Sequence, residues 1–184
     1  TPAEFEQIKR HPLFGYDILS EQANIAPTSI KIALQHHERC DGSGYPYQLV
    51  KKEIHQYSRL VMIVDVFDAL TADRPYRKAL PPHKAVEIIL SFKGAYDTEM
   101  IRLFLDHIAV YPLGTALRLN NGDLGLVVKN KKGRPFQPVV RICKNKNGRF
   151  YASPFDIDLA ETKNLFITEI LSEKERDREL PLDI

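Results

Sequence analysis

His36 and His37 stand side by side, followed by Glu38 and then by the turn-rich run Asp41-Gly42-Ser43-Gly44-Tyr45-Pro46. Imidazole nitrogens bind divalent metals and carry protons near neutral pH. Adjacent residues on a helix point about 100° apart, so such a pair suits two neighbouring metals better than one. The plainer alternative is two unrelated histidines near a helix C-terminus, where the dipole favours imidazolium. Asp65 and Asp68 interrupt the apolar run from Leu60 to Leu70. Carboxylates are almost never buried unless paired or metal-bound, and a spacing of three places both on one helical face. Asp65, apolar on both sides, is the better ligand; Asp68 could instead cap a helix or pair with an arginine. His11, before Pro12 at a helix break, means little alone. Together, three histidines and a buried carboxylate suit iron, manganese or zinc. The lack of a thiolate set argues against a structural zinc finger. Two adjacent metals are a common solution to phosphodiester hydrolysis, activating water and stabilising phosphoryl charge. Arg74 and Arg77 could grip a phosphate in bidentate fashion or stay solvated. Tyr45 could stack on a base or pack its loop.

The elements that must position these groups are helical over residues 1–110. Thr1-Pro2-Ala3-Glu4 reads as an N-cap, a proline in the first turn and an early acid. Because the sequence opens inside such a phrase, it is expected to be a segment of a longer protein. Pro12 breaks the first helical pattern, and Pro27 and Pro82 open two more. Tyr57 to Leu70 reads as a buried helix carrying both aspartates. Ala85, Val86, Ile88, Ile89 and Phe92 form one face of the next helix, and Asp97 caps the last, with Met100, Ile101, Phe104, Leu105 and Ile108 at helical spacing. From Tyr111 the texture changes. Asn120-Asn121-Gly122-Asp123 and Asn147-Gly148 are hairpin signals. Leu124–Lys129, Val139–Lys144 and Phe166–Leu171 read as strands. Residues 111–171 are therefore expected to form a small β-barrel-like module, and residues 172–184 a charged tail. The fold class is mainly α followed by this β module.

Composition narrows the function classes. The 184 residues are 43% hydrophobic and 27% charged, with a formal net charge of +2. That permits a real core and implies no general attraction to nucleic acid. Cys40 and Cys143 are far apart and form no CxxC pair, which fits a reducing cytoplasm. No apolar run approaches the roughly 20 residues of a membrane span, so no membrane contact is expected from this segment.

His36-His37-Glu38-Arg39-Cys40-Asp41-Gly42-Ser43-Gly44-Tyr45-Pro46 closely resembles the HHExxDGxGYP signature of HD-GYP domains. Ile63 to Arg77 resembles that family's second block, and Lys9-Arg10-His11-Pro12 with Gly15-Tyr16 resembles the segment carrying an earlier metal histidine. The resemblance covers residues 1 to about 108. It implies a helical HD-superfamily fold and hydrolysis of the bacterial second messenger cyclic di-GMP to linear pGpG or GMP. It also implies a centre of two or three divalent metals, foremost iron or manganese. Carried over by position, His11, His36, His37 and Asp65 are expected metal ligands. Gly44, Tyr45, Pro46, Arg74 and Arg77 are expected substrate contacts. Glu38, Asp41 and Asp68 are expected to orient the loop and ligands from behind. Expected partners are cyclic di-GMP itself, diguanylate cyclase (GGDEF) proteins, and a second copy in a homodimer. Two departures stand out. No His-Asp doublet precedes His11, so the catalytic aspartate and lysine are expected upstream and the segment alone is expected to be inactive. Tyr47-Gln48-Leu49 stands where the family often has Arg-Gly-Leu. The alternative to an enzyme is a non-catalytic module binding cyclic di-GMP or a protein partner; a third reading is hydrolysis of another cyclic dinucleotide.

Overall fold

The structure, a computed structural model, describes residues 1–181. Thr1 begins the first helix with a reciprocal cap: its hydroxyl accepts from the Glu4 N–H at 3.4 Å, and the Glu4 carboxylate accepts from the Thr1 ammonium at 2.6 Å. Six helices follow in order: α1 (Pro2–Ile8), α2 (His11–Ser20), α3 (Pro27–Gln35), α4 (Gln56–Thr71), α5 (Pro82–Ser91) and α6 (Thr98–Leu105). Proline lies in the first turn of α1, α2, α3 and α5, where its missing N–H costs nothing. The chain divides into two compact units, residues 1–104 and the part from Leu105 onward. No helix among the described residues is long and apolar enough to cross a membrane.

In the first unit α2 packs on α3, α3 on α4, and α4 on α5. Met62 and Ile63 of α4 are fully buried, together with Ala85, Val86 and Ile89 of α5. The Phe67 ring meets Phe104 of α6 edge-on at 5.1 Å. The expectation of a buried helix over Tyr57 to Leu70 is corrected in part. Its buried residues are Ser58, Met62 and Ile63; Asp68 is exposed and the Asp65 side chain is 41% exposed. Apolar composition alone misled, because Val64 and Tyr57 face solvent too.

One carboxylate ties the first unit together. Asp97 is buried, and its oxygens accept from Lys51 Nζ at 3.1 Å and from an Arg59 guanidinium nitrogen at 2.5 Å. It also accepts the Glu99 N–H at 3.1 Å, capping α6. Arg59 belongs to α4 and Lys51 to the loop before it, so Asp97 ties the start of α6 to a region 38 to 46 residues earlier in the chain.

The second unit is a five-stranded antiparallel sheet of β1 (Ala116–Leu119), β2 (Leu124–Lys129), β3 (Val139–Lys144), β4 (Phe150–Asp158) and β5 (Ile167–Ile170), in the order β4-β3-β2-β1-β5. Gly122 and Gly148 take φ of +90° and +77° in the two hairpin turns, the conformation that favours glycine there. Strand alternation sends Leu117, Leu119, Val127, Val140 and Ile142 into one core. Ala116, Leu124 and Cys143 enter a second, closed by Leu171 and Leu180. The expected charged tail is corrected in part: Ser172 caps a short helix, α7 (Glu173–Glu179), through a capping box with Glu175, and this helix delivers Leu180 to that second core. Glu179 fixes it further through Lys144 at 2.7 Å. Residues 182–184 of the expected tail lie outside the described residues. β4, the longest strand, has no counterpart in the sequence reading; it is an edge strand with mostly exposed residues and an internal Pro154.

Asp97 generates two expected outcomes. Replacing it with alanine leaves the buried side of Arg59 unpaired and should cost about 3 kcal/mol in denaturant melts. Burial alone would raise the Asp97 carboxyl, but the hydrogen bonds from Lys51 and Glu99, with the charges of Lys51 and Arg59, hold it below the ordinary carboxylate value. A carboxyl depressed in the folded state stabilises above its unfolded pKa. That contribution is lost as pH falls below about 4. Asp97→Asn should therefore flatten the acid limb of the stability profile; an unchanged limb would refute the assignment.

Candidate metal centre and adjoining cleft

His36 is the C-cap of α3, and His37 lies one residue beyond it. His36 still has right-handed helical backbone angles and His37 lies in the turn that follows; the two rings come close, their centroids 4.2 Å apart with planes inclined by 38°. His11, the first residue of α2, reaches the same place. One ring nitrogen from each of His11, His36 and His37 lies within 4.8 Å of the others.

Two of these imidazoles have their tautomers set by carbonyls, which can only accept. His11 Nδ1 lies 2.8 Å from the Ile8 carbonyl and His36 Nδ1 lies 2.8 Å from the Ala33 carbonyl. Each Nδ1 therefore carries the proton and each Nε2 presents a lone pair. The two Nε2 atoms face one another at 3.1 Å. Two acceptors at that distance need a cation or a shared proton between them. Carbonyl-oriented imidazoles of this kind are the usual arrangement around a bound metal. His37 is held neutral to about pH 4, chiefly by burial and then by His36, His11 and the Arg39 charge. Asp65 stands at the rim, its Oδ2 3.7 Å from His37 Nδ1. The three imidazoles fit a divalent first-row metal; Asp65 adjoins them through His37 but is not one of the three clustered groups. Asp68, one turn further along α4, is exposed and not part of this cluster.

The loop after His37 is built around Glu38. This side chain is completely buried, and its two oxygens accept the Tyr47 N–H at 2.8 Å and the Leu49 N–H at 2.9 Å. The loop thus returns onto its own start. Gly44 sits inside that return, where an added Cβ would lie 2.4 Å from the Glu38 and Arg39 backbone, so no larger residue fits. The Tyr45 ring stacks on His37 at 4.8 Å and 29°, and the Tyr45–Pro46 peptide is cis. Asp41 accepts from the Ser43 N–H and hydroxyl at 3.0 and 2.7 Å. These bonds, the hydroxyl first, hold its carboxyl below the ordinary value. Gln48, at the position where glycine is common in the resemblance, takes φ of +55°.

Beside the histidines opens a cleft of about 850 Å³. His37, Gly44, Tyr45 and Pro46 line one side, Lys9 and Arg10 the α1–α2 junction, and Phe92 and Lys93 the connection from α5 to α6. Its cations are Lys9, Arg10, Arg39 and Lys93, its anions Glu6 and Asp41. Arg74 and Arg77 do not line it. Arg74 is exposed, and Arg77 turns back to donate to the Ala69 carbonyl at the end of α4. The sequence reading passed over Arg39, Phe92 and Lys93. Arg39 occupies a variable place in the signature, and the other two are joined to the loop only through the fold. The one local signal was the Lys93-Gly94 turn.

The buried Glu38 carboxylate implies a measurable cost. Glu38→Gln keeps the shape but sets an amide donor against a backbone donor, and is expected to lose about 2–3 kcal/mol. Hydrogen exchange at Tyr47 and Leu49 should speed up in parallel. Gln48→Gly should instead raise stability by up to about 1 kcal/mol by relieving the left-handed backbone, as read by denaturant melts.

The family model described as HD domain matches residues 1–100, and one described as KOW domain associated with HD domain matches residues 116–179. A cyclic di-GMP phosphodiesterase of Pseudomonas aeruginosa is 33% identical over 142 residues, covering 77% of this chain and 34% of that protein. A cyclic di-GMP phosphodiesterase of Thermotoga maritima is 42% identical over 107 residues, 57% of this chain and 29% of that protein. The 3'3'-cGAMP-specific phosphodiesterase 3 of Vibrio cholerae is 38% identical over 87 residues, 47% of this chain and 19% of that protein. The chain spans about a third or less of the length of each. With a match over more than half its residues, and with the His36–Pro46 signature folded around the histidine cluster, the chain belongs to the HD domain family.

Proposed function

We propose that the full-length protein carrying this chain is a metal-dependent phosphodiesterase of the HD-GYP type that hydrolyses cyclic di-GMP to linear pGpG or GMP. The observation that carries this reading is the pair of acceptor nitrogens, His11 Nε2 and His36 Nε2, facing each other at 3.1 Å beside a cleft richer in cations than anions. His11, His36, His37 and Asp65 would hold the metals, two or three in number and iron or manganese foremost. Bound there, divalent cations supply activation of water and neutralisation of charge on the phosphoryl oxygens. The chain's own residues do the rest. The carbonyls of Ile8 and Ala33 orient the imidazoles. Tyr45 and Gly44 bring the loop against His37, and Glu38 fixes that loop from behind. The cleft cations draw in a dianionic substrate. The relatives named as cyclic di-GMP phosphodiesterases support this substrate. A cytoplasmic setting and association with diguanylate cyclases belong to the same proposal. By this reading residues 1–184 alone give little turnover.

The relative named for 3'3'-cGAMP favours one second reading, in which another cyclic dinucleotide is the substrate. One experiment addresses both. The full-length protein is loaded with manganese or ferrous iron, its metal content measured, and its products from cyclic di-GMP and 3'3'-cGAMP resolved by chromatography. Stoichiometric metal and faster turnover of cyclic di-GMP are expected, with chelation or His36→Ala reducing turnover to background. Preference for 3'3'-cGAMP would transfer the assignment to that substrate. Retention of metal-free turnover, or binding of cyclic di-GMP without turnover in metal-loaded protein, would overturn it.

A further inference from the structure

We propose that Arg39 and Lys93 form a clamp for the second, uncleaved phosphodiester of a cyclic dinucleotide; this rests on the phosphodiesterase reading above. Such a substrate carries two phosphodiesters on one ring, and only one can lie at the histidine cluster. The other must be accommodated in the same cleft, where an unpaired anion is costly. Among the described cleft cations, Lys9 is paired with Glu6 at 2.7 Å, and Arg10 lies 5.2 Å over the ring of Phe14, an exposed residue that gives it no buried support. Asp41, the other cleft anion, is engaged by Ser43.

Arg39 is differently placed. Its guanidinium lies over the buried Tyr96 ring at 4.9 Å and donates once, to the Glu38 carbonyl at 3.3 Å. A guanidinium has five N–H donors, so donors remain for a bidentate grip on phosphate. The two contacts fix the fork in advance, which reduces the ordering cost of that grip. Lys93 comes from the connection between α5 and α6. It is exposed, and its segment is closed by the Lys93 N–H to the Ser91 carbonyl at 3.0 Å and the Ala95 N–H to the Phe92 carbonyl at 3.3 Å. The same connection is tied to the signature loop, since the Cys40 N–H donates to the Ala95 carbonyl at 2.8 Å. The backbone that carries Lys93 is thus joined to the loop that carries Arg39, and both residues line the cleft. Arg77, expected from the resemblance to meet the dinucleotide, donates to the Ala69 carbonyl and does not line this cleft.

The test compares a substrate having two phosphodiesters with one having a single phosphodiester. Arg39→Gln, Lys93→Gln and the double variant are made in the full-length protein, with thermal melts as the folding control. KM and kcat are measured for cyclic di-GMP and for bis(p-nitrophenyl) phosphate. Kd is measured by calorimetry for the hydrolysis-resistant phosphorothioate analogue of cyclic di-GMP. Each single variant is expected to raise KM and Kd for the dinucleotides about tenfold and to lower turnover of bis(p-nitrophenyl) phosphate by clearly less than that factor; Arg39→Lys should recover only part. Equal loss on both substrates would overturn the proposal, since the residues would then act at the reacting phosphate or on the fold. Unchanged KM and Kd would overturn it as well. Should the unaltered protein bind the analogue but hydrolyse neither substrate, the phosphodiesterase reading fails while Kd still judges the clamp. Should it bind no analogue, both fail. Lys93→Gln, on an exposed side chain, keeps the test valid if Arg39→Gln does not fold.

Discussion

A carboxylate withdrawn wholly from water must find donors inside the protein, and Glu38 finds them in the backbone of its own loop. The Tyr47 and Leu49 N–H groups close on its two oxygens, and the seating of the loop against His37 follows from that closure. The loop return forces Gly44 against the Glu38 backbone, which brings Tyr45 onto His37. His37 is then shielded enough to stay neutral. Charge-assisted hydrogen bonds in a dry setting are stiff as well as strong. A loop held in this way can present side chains to a cleft without a helix or strand of its own.

Asp97 plays a matching part at the base of the loop. Its bonds to Lys51 and Arg59 link the chain just after the signature with α4, which carries Asp65. The Lys51 N–H donates to the Cys40 carbonyl, so the charge network and the loop backbone share a residue. Two buried carboxylates thus fix the loop at two points. The groups facing the cleft itself remain partly wet, as binding residues must be.

Much of the fold was legible because punctuation residues act locally. Prolines in first turns marked α1, α3 and α5, and Gly122 and Gly148 marked the hairpins through their positive φ. What escaped depended on partners far away. β4 carries Pro154 and acidic residues on exposed faces, so no alternation announces it; its partner β3 makes it a strand. α7 is entirely charged and polar, and only the capping box and Leu180 give it a place. At the site, residue types were readable while relative positions were not. His37 lies past the end of α3, and its ring centroid comes within 4.2 Å of that of His36. Asp68 looked buried by its neighbours in sequence, yet faces solvent. Arg39 and Lys93 line one cleft that no local pattern describes.

The closure by Glu38 also sets which changes this loop can absorb. The carboxylate grips peptide N–H groups, which every residue except proline supplies, so the identities of the side chains at 47, 48 and 49 are left largely open. Gln48 illustrates the latitude: it occupies a left-handed position that glycine would fill more easily, and the two flanking hydrogen bonds persist. The loop is written in main-chain atoms and edited in side chains. Side chains at the rim of the cleft can therefore be exchanged, and with them the fit to a ligand, while the main-chain bonds that seat the loop against His37 stay available.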